Sequence, residues 1–125
     1  MLKLAVIGLG GFFGAVARYG LSGLVHRYAN GSFPFGTLAV NLLGCFLIGV
    51  VMAAVEGREA FSPNVRLFVV IGLLGSFTTF STLGYETLEL LRSREHLAAL
   101  ANMGGSALLG VLAVVAGHVA VRMLG

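Results

Sequence analysis

The sequence predicts an all-α integral membrane protein with four transmembrane helices, on the basis of its length, its hydropathy and its few charges. Of its 125 residues, 58% are hydrophobic and only 10% are charged, and the mean hydropathy is +0.98. A typical soluble domain carries about 25% charged residues. Because a helix needs roughly 20 apolar residues to cross the hydrocarbon core, the chain has room for four spans joined by short loops.

Apolar stretches separated by polar segments give the bounds of the four spans. The first covers about residues 4–25, and a polar loop with Gly31 and Pro34 follows it. The other spans cover about residues 35–55, 66–91 and 97–122. We interpret residues 1–125 as one transmembrane domain. A cleaved signal peptide is the alternative for the N-terminus, but the first apolar stretch is longer than usual and contains Arg18.

Several glycines lie four positions from another small residue, a spacing that lets helix backbones approach closely in lipid. These pairs are Gly10 with Gly14, Ser106 with Gly110, and Ala113 with Gly117. The spacing predicts a close-packed bundle. The N-terminal glycines also resemble the phosphate loop of a dinucleotide-binding fold. That fold needs an acidic residue about 20 positions further on, whereas the first acidic residue here is Glu56.

The basic residues are almost evenly divided between the two sides of the membrane. On the side of the termini lie Lys3, Arg58, Arg66 and Arg122, on the other side lie Arg27, Arg92 and Arg94, and Arg18 lies in the outward half of the first span. Orientation normally follows an excess of Lys and Arg on the cytoplasmic side. We therefore predict insertion in both orientations and an antiparallel, dual-topology homodimer, with a fixed orientation as the alternative. The scattered basic residues do not indicate nucleic-acid binding.

Few polar side chains lie within the predicted spans, and most of them are uncharged hydrogen-bond donors. Outside the hydroxyl-rich run at residues 76–82 they are Arg18, Thr37, Asn41, Tyr85, Glu86, Asn102 and Ser106. Such groups tend to face a bundle interior or an aqueous path. Hydroxyls and amides donate to anions, and ring edges carry partial positive charge, so the set suits a small, hard anion. For an isolated hydroxyl, a bond to its own helix is the alternative.

The run Ser76–Thr82 contains five hydroxyl side chains and two phenyl rings. Two glycines precede it, and the adjacent β-branched Thr78 and Thr79 disfavour helix. A broken helix is tolerated at membrane depth only where protein or a cavity satisfies the freed backbone groups. We therefore predict a break in the third span near the bilayer midplane. There, carbonyls from two copies could converge on one small, hard cation such as Na⁺.

Three stretches of the chain share the pattern of a known family. They are Gly10–Tyr19 (GGFFGAVARY), Pro34–Asn41 (PFGTLAVN) and Gly72–Thr82 (GLLGSFTTFST). Together they resemble the Fluc (CrcB-type) fluoride channels, and the resemblance covers essentially the whole chain. It implies an antiparallel, dual-topology homodimer in the cell (inner) membrane, with two separate pathways through which fluoride leaves the cell passively.

The resemblance also implies roles for individual residues. It implies a central Na⁺ held by the backbone carbonyls of Gly75 and Thr78 from both copies. Asn41 would be the pore amide, Phe80 the first ring of an aromatic pair, and Arg18 a vestibule residue. The remaining residues that the resemblance places along the fluoride pathway are Phe77, Thr79, Ser81, Thr82 and Ser106.

The sequence departs from the family pattern at two positions. The second aromatic of the usual pair is replaced by Leu83, three residues after Phe80. Phe77, three residues before Phe80, is a candidate for the missing ring, with a packing role as the alternative. Where many relatives have Tyr in the fourth span, this chain has Asn102, which donates a hydrogen bond but has no ring.

Other function classes fit the sequence less well. It contains no catalytic Ser, His and Asp set and no paired catalytic carboxylates, so we expect that it is not an enzyme. Glu86 and Glu89, with Arg92 three positions further on, are interpreted as an interfacial charge cluster rather than a proton relay. A small, dual-topology, proton-coupled exporter is the alternative function, but its carboxylate in the first span is missing here. A non-transporting assembly subunit would have no evident use for the hydroxyl-rich run.

Overall fold

The computed structural model describes residues 1–56 and 61–125. Every regular element in that part of the chain is helical, and four helical segments within it are long and apolar enough to cross a membrane. The prediction of an all-α protein with four spans is therefore confirmed. Arg58, which entered the count of basic residues, lies outside the described residues.

The first two spans are single helices, α1 at Leu2–Tyr28 and α2 at Phe35–Val55. Helix α1 continues past its predicted end at residue 25, because the chain meets no glycine or proline between that position and Gly31. Gly31 has a φ of +100°, which glycine adopts without steric cost, and the loop turns there. Pro34 follows and is the N-cap of α2, where its missing N–H costs nothing.

The third span, Pro63–Arg92, is a series of helical segments of different kinds. Their bounds are α3 at Pro63–Arg66, a π-helical segment at Leu67–Leu74, α4 at Gly75–Phe77 and α5 at Phe80–Arg92. Ser62 caps the start, since its Oγ accepts a hydrogen bond from the Val65 N–H at 3.4 Å. The third span is therefore the irregular member of the bundle.

Helix α6, His96–Leu124, returns the chain to the side on which it began. The turn before it contains Arg94 with a φ of +60°, and the Glu95 N–H donates to the Leu90 carbonyl at 2.9 Å. Ser32 Oγ donates to the Glu95 carboxylate at 2.5 Å. This bond connects the turn before α6 to the loop between α1 and α2 at the same end of the bundle.

Glycines lie where the helices approach most closely. The most extensive contacts are those of α2 with α6 and of α1 with the π-helical segment. A Cβ atom on Gly14 would overlap the carbonyl oxygen of Leu73, and one on Gly117 would overlap that of Phe46. The close packing predicted from the glycine spacing is confirmed at these two positions. Gly10 likewise lies within α1 and not in a phosphate loop.

Candidate functional site

Two extended residues separate α4 from α5 within the third span. Thr78 has φ −81° and ψ 154°, and Thr79 has φ −147° and ψ 119°. Both lie in the hydroxyl-rich run, where adjacent β-branched side chains are poor helix formers. The Thr78 N–H still donates to the Leu74 carbonyl at 3.2 Å, and the helical hydrogen-bond ladder is interrupted from Thr79 onward.

The side-chain amide of Asn41 on α2 forms two hydrogen bonds with the backbone of Thr79. Its Nδ2 donates to the Thr79 carbonyl at 3.0 Å, and the Thr79 N–H donates to its Oδ1 at 2.8 Å. In an uninterrupted α-helix that N–H would donate to the Gly75 carbonyl, four residues earlier. Asn41 thus replaces the helical partner of Thr79 and leaves the Gly75 carbonyl without its usual donor.

The Thr79 hydroxyl caps the start of α5. Its Oγ1 accepts from the Thr82 N–H at 3.3 Å and donates to Thr82 Oγ1 at 3.1 Å, and Ser81 Oγ lies 3.4 Å away. The Thr82 N–H would otherwise donate to the Thr78 carbonyl. The same two extended residues therefore also free the Thr78 carbonyl from its helical donor.

These two carbonyls suit a small, hard cation. Gly75 and Thr78 are the residues that the family resemblance assigns to Na⁺, and their helical donors, the N–H groups of Thr79 and Thr82, are engaged elsewhere. Neutral carbonyl oxygens are typical ligands of hard cations. Gly75 is also exposed on the surface of the single chain. The two carbonyl oxygens therefore fit Na⁺ as ligands. The sodium site itself stays a prediction.

The two phenylalanines of the run have opposite environments. Phe80 is 76% exposed on the single chain, whereas Phe77 is 6% exposed. The Phe77 ring packs against α2 at Gly44, where an added Cβ would lie 3.2 Å from a ring carbon. Leu83, at the position of the second family aromatic, is 5% exposed. Burial therefore favours the packing role for Phe77.

A cavity of about 410 Å³ is lined by most of the predicted pathway residues, and we refer to it as the phenylalanine cavity. The predicted residues that line it are Asn41, Gly75, Thr78, Thr79, Phe80 and Ser106. None of its lining side chains is charged. Phe77 and Ser81 do not line it, so the structure brings together only part of the predicted set.

A second, larger depression opens beside Arg18, and we refer to it as the arginine cavity. Its volume is about 690 Å³, and Arg18, Arg27 and Thr37 are among its lining residues. Thr79 lines both cavities, and Thr82 lines the arginine cavity. Thr79 therefore lies between a basic depression and an uncharged one.

Glu86 is placed differently from the sequence interpretation. Its Oε1 accepts a hydrogen bond from Thr37 Oγ1 at 2.6 Å, and its Oε2 is buried with no partner among the described residues. Glu89 alone pairs with Arg92, at 3.0 Å. The predicted cluster is thus wrong for Glu86, because the side chain faces α2 and not the end of its own helix.

Sequence reasoning did not include Thr37 or Glu86 among the site residues, although a signal was present. Thr37 lies four positions before Asn41, and Glu86 lies four positions after Thr82. Residues four apart share one face of a helix. Residues at helical spacing from Asn41 and Thr82 therefore include both Thr37 and Glu86, and this spacing could have predicted them as site residues.

A further group of polar side chains lies between α5 and α6. Asn102 Nδ2 donates to Thr87 Oγ1 at 3.0 Å, and Thr87 Oγ1 donates to the Leu83 carbonyl at 2.8 Å. Asn102 is fully buried, and Ser106, one turn further along α6, is also buried. Ser106 is the member of this group that lines the phenylalanine cavity together with Asn41.

Comparison with known proteins gives matches along nearly the whole chain. A family model described as CrcB-like protein, Camphor Resistance (CrcB), matches residues 5–118. A Geobacter sulfurreducens protein named fluoride-specific ion channel FluC is 44% identical over 124 residues, which are 99% of this chain and 100% of its own length. A protein of the same name from Nitratidesulfovibrio vulgaris (strain DSM 19637 / Miyazaki F) is 46% identical over 111 residues, 89% of this chain and 90% of its own length. The fluoride-specific ion channel FluC 1 of Methanosarcina acetivorans is 43% identical over 120 residues, 95% and 90% of the two chains.

These matches confirm the resemblance drawn from the three stretches. They also confirm the expectation that the chain is not an enzyme, because the relatives are named as ion channels. Together with the four apolar helices in the described part of the chain, they identify a multi-pass membrane protein. Since the family model matches residues 5–118 and the relatives match most of its length, this chain belongs to the CrcB family.

Proposed function

We propose that this chain forms a passive, fluoride-selective channel that lets fluoride leave the cell and so lowers its internal concentration. The observation that carries the proposal is the Geobacter sulfurreducens relative, named fluoride-specific ion channel FluC, which is 44% identical over 99% of this chain. The uncharged donors around the phenylalanine cavity support it.

Fluoride is difficult to conduct because it holds its water tightly. Moving an unpaired ion of this kind into a low-dielectric medium costs on the order of 20 kcal/mol by idealised Born reasoning. The pathway must therefore supply several donors in place of water without binding the ion too strongly. Thr79 and Ser106 line the phenylalanine cavity, and its lining carries no charge. The Thr79 proton is used in the bond to Thr82 Oγ1, so Ser106 is the hydroxyl that has a proton to donate there. An uncharged lining offers replacement donors without a fixed charge that would trap the ion.

Asn41 and Phe80 complete this set of donors. An amide nitrogen carries two N–H groups, so Asn41 keeps one after its bond to Thr79. The edge of a phenyl ring is partially positive, and Phe80 lines the same cavity. Leu83 has no ring and Phe77 does not line the cavity, so the pathway of this chain uses one ring at this level instead of two.

Arg18 and Arg27 give the arginine cavity a positive character. A basic, concave surface raises the local concentration of anions. Arg18 is therefore the vestibule residue of the proposal. Fluoride entering here meets Thr79, which lines both cavities.

The proposal includes an antiparallel homodimer. The near balance of basic residues supports dual insertion, and the 76% exposure of Phe80 supports a second copy that covers this surface. The carbonyls of Gly75 and Thr78 from both copies would hold Na⁺. The ion would supply a fixed positive charge that links the two copies.

A growth experiment tests this function in cells. A bacterial strain without its own fluoride channel is transformed with this chain or with an empty vector and grown in acidic medium containing fluoride. The proposal expects growth only with the chain, and equal sensitivity of both strains to an unrelated toxic anion. Equal inhibition by fluoride of both strains, with the chain present in the membrane, would contradict it.

A further inference from the structure

Two polar atoms of α6, on residues four positions apart, are buried without hydrogen-bond partners in the described part of the chain. They are Asn102 Oδ1 and Ser106 Oγ. Asn102 has 0% of its surface exposed and Ser106 has 9%. Nearly all buried polar atoms in proteins have a partner, either protein or ordered water. This pair therefore points to a bound molecule between α5 and α6.

The orientation of the Asn102 amide is fixed by its neighbour. The Thr87 hydroxyl has one proton, and it is used in the 2.8 Å bond to the Leu83 carbonyl. Thr87 Oγ1 can then only accept from Asn102, so the group 3.0 Å away must be Nδ2. A flipped amide would place two acceptors against each other. Asn102 Oδ1 is consequently an acceptor that needs a donor from elsewhere.

The second atom belongs to Ser106, and we refer to the space between it and Asn102 Oδ1 as the gap. Ser106 lies four positions after Asn102, on the same face of α6. A serine in a membrane helix usually bonds to the carbonyl four residues before it, but Ser106 Oγ has no such bond in the described structure. Ser106 also lines the phenylalanine cavity, whereas Asn102 does not. It therefore separates the cavity from the deeper amide.

We propose that one buried water molecule binds between Asn102 Oδ1 and Ser106 Oγ and directs the Ser106 proton into the phenylalanine cavity. The water donates one hydrogen to each oxygen, so Ser106 accepts on that side and keeps its own proton free. Asn102 is then a positioning residue for the Ser106 hydroxyl. This last step rests on the proposed fluoride function, because it makes Ser106 a donor to the passing anion.

Water fits this gap better than an ion or a protein group. An amide oxygen repels an anion, and a small hard cation needs about six oxygen ligands. A second copy of the chain cannot supply the donor, because Asn102 is already fully enclosed by its own chain. A water molecule carries the two donors that the two oxygens require.

The direction in which one substitution shifts the melting temperature tests the water site without any transport measurement. Ser106→Ala removes one oxygen and keeps a good helix former. With a bridging water, the variant loses an anchor for that water and the melting temperature in detergent falls. With a dry gap, removing an unpaired buried oxygen would leave the melting temperature unchanged or raise it, which would overturn the proposal. Leu100→Met, a volume-conserving change at an exposed position of α6, is the control for handling and should melt like the wild type.

A double-mutant cycle with Asn102→Leu then tests the coupling. Both oxygens share one water, so the melting-temperature loss of Asn102→Leu with Ser106→Ala should be smaller than the sum of the two single losses. The second measurement is the rate of fluoride efflux from proteoliposomes. Each single variant should be about fivefold slower than the wild type, the factor expected for one ordinary hydrogen bond. The double variant should be no slower than Ser106→Ala. Additive losses in both measurements would overturn the proposal. If the wild type conducts no fluoride, the proposed function fails, and the melting cycle still decides the water site.

Discussion

Asn41 and Thr79 are joined by two hydrogen bonds, of 3.0 Å and 2.8 Å, between the second span and the extended segment of the third. The amide satisfies the carbonyl and the N–H of one residue that lies outside any helix. An extended residue at membrane depth needs such partners, because lipid supplies none. The consequence is a third span whose extended segment, next to the freed carbonyls of Gly75 and Thr78, is bonded to a side chain of α2.

Asn41→Asp should impair both stability and fluoride flux. The carboxylate can still accept from the Thr79 N–H, but it loses the donor to the Thr79 carbonyl and faces that oxygen with a negative charge. We expect a loss of about 2 kcal/mol in the free energy of unfolding and strongly reduced efflux of fluoride from liposomes. The same exchange at Asn30, in an exposed loop, should change neither. Wild-type efflux from Asn41→Asp would remove Asn41 from the pathway.

Phe80→Ile should slow fluoride efflux by at least about tenfold, the effect of a barrier raised by 1.4 kcal/mol or more. The substitution keeps an apolar side chain but removes the ring edge that the proposal uses to replace water. Phe12→Ile, at an exposed aromatic of α1, is the matched control and should conduct normally. The measurement is the initial efflux rate, recorded with a fluoride electrode and divided by the amount of reconstituted protein. Equal rates for Phe80→Ile and wild type would show that the ring takes no part in conduction.

Gly14→Ala should destabilise the bundle. Its Cβ would overlap the carbonyl oxygen of Leu73, so α1 would have to move away from the third span. Overpacking of this kind costs about 1–3 kcal/mol. Gly8→Ala, where an added Cβ meets nothing within 4 Å, should be neutral or slightly stabilising, because alanine favours helix. Unfolding in detergent should therefore separate the two variants, and equal melting temperatures would refute the close approach.

Sequence alone predicted the spans well but not the contacts between them. Hydropathy located four helices, because lipid requires long apolar segments whatever their partners. The extended Thr78 and Thr79 lie in the run whose composition disfavours helix. The partnership of Thr37 with Glu86 could not be predicted, because it joins residues 49 positions apart. Local spacing instead assigned Glu86 to the charges of its own helix, where Glu89 pairs with Arg92.

Removal of sodium should weaken the association of two copies. The proposal assigns the carbonyls of Gly75 and Thr78 to Na⁺, and these oxygens would repel one another across the two copies without a cation between them. Replacing Na⁺ by the large cation N-methylglucamine should increase the fraction of monomer, measured by single-molecule photobleaching of labelled protein in liposomes. Replacing chloride by another anion at constant Na⁺ is the control and should leave the dimer intact. A dimer fraction that does not depend on Na⁺ would contradict the sodium site.

The central claim is that uncharged donors and a ring edge replace the water of fluoride along a path through this protein. Its most direct test is the efflux of fluoride, recorded with an ion-selective electrode, from liposomes that contain the purified wild-type chain. The account predicts rapid fluoride efflux, no comparable chloride efflux, and the same fluoride rate with or without a pH gradient. Liposomes that retain fluoride as well as protein-free ones would contradict the claim, and efflux that requires a pH gradient would favour a proton-coupled exporter.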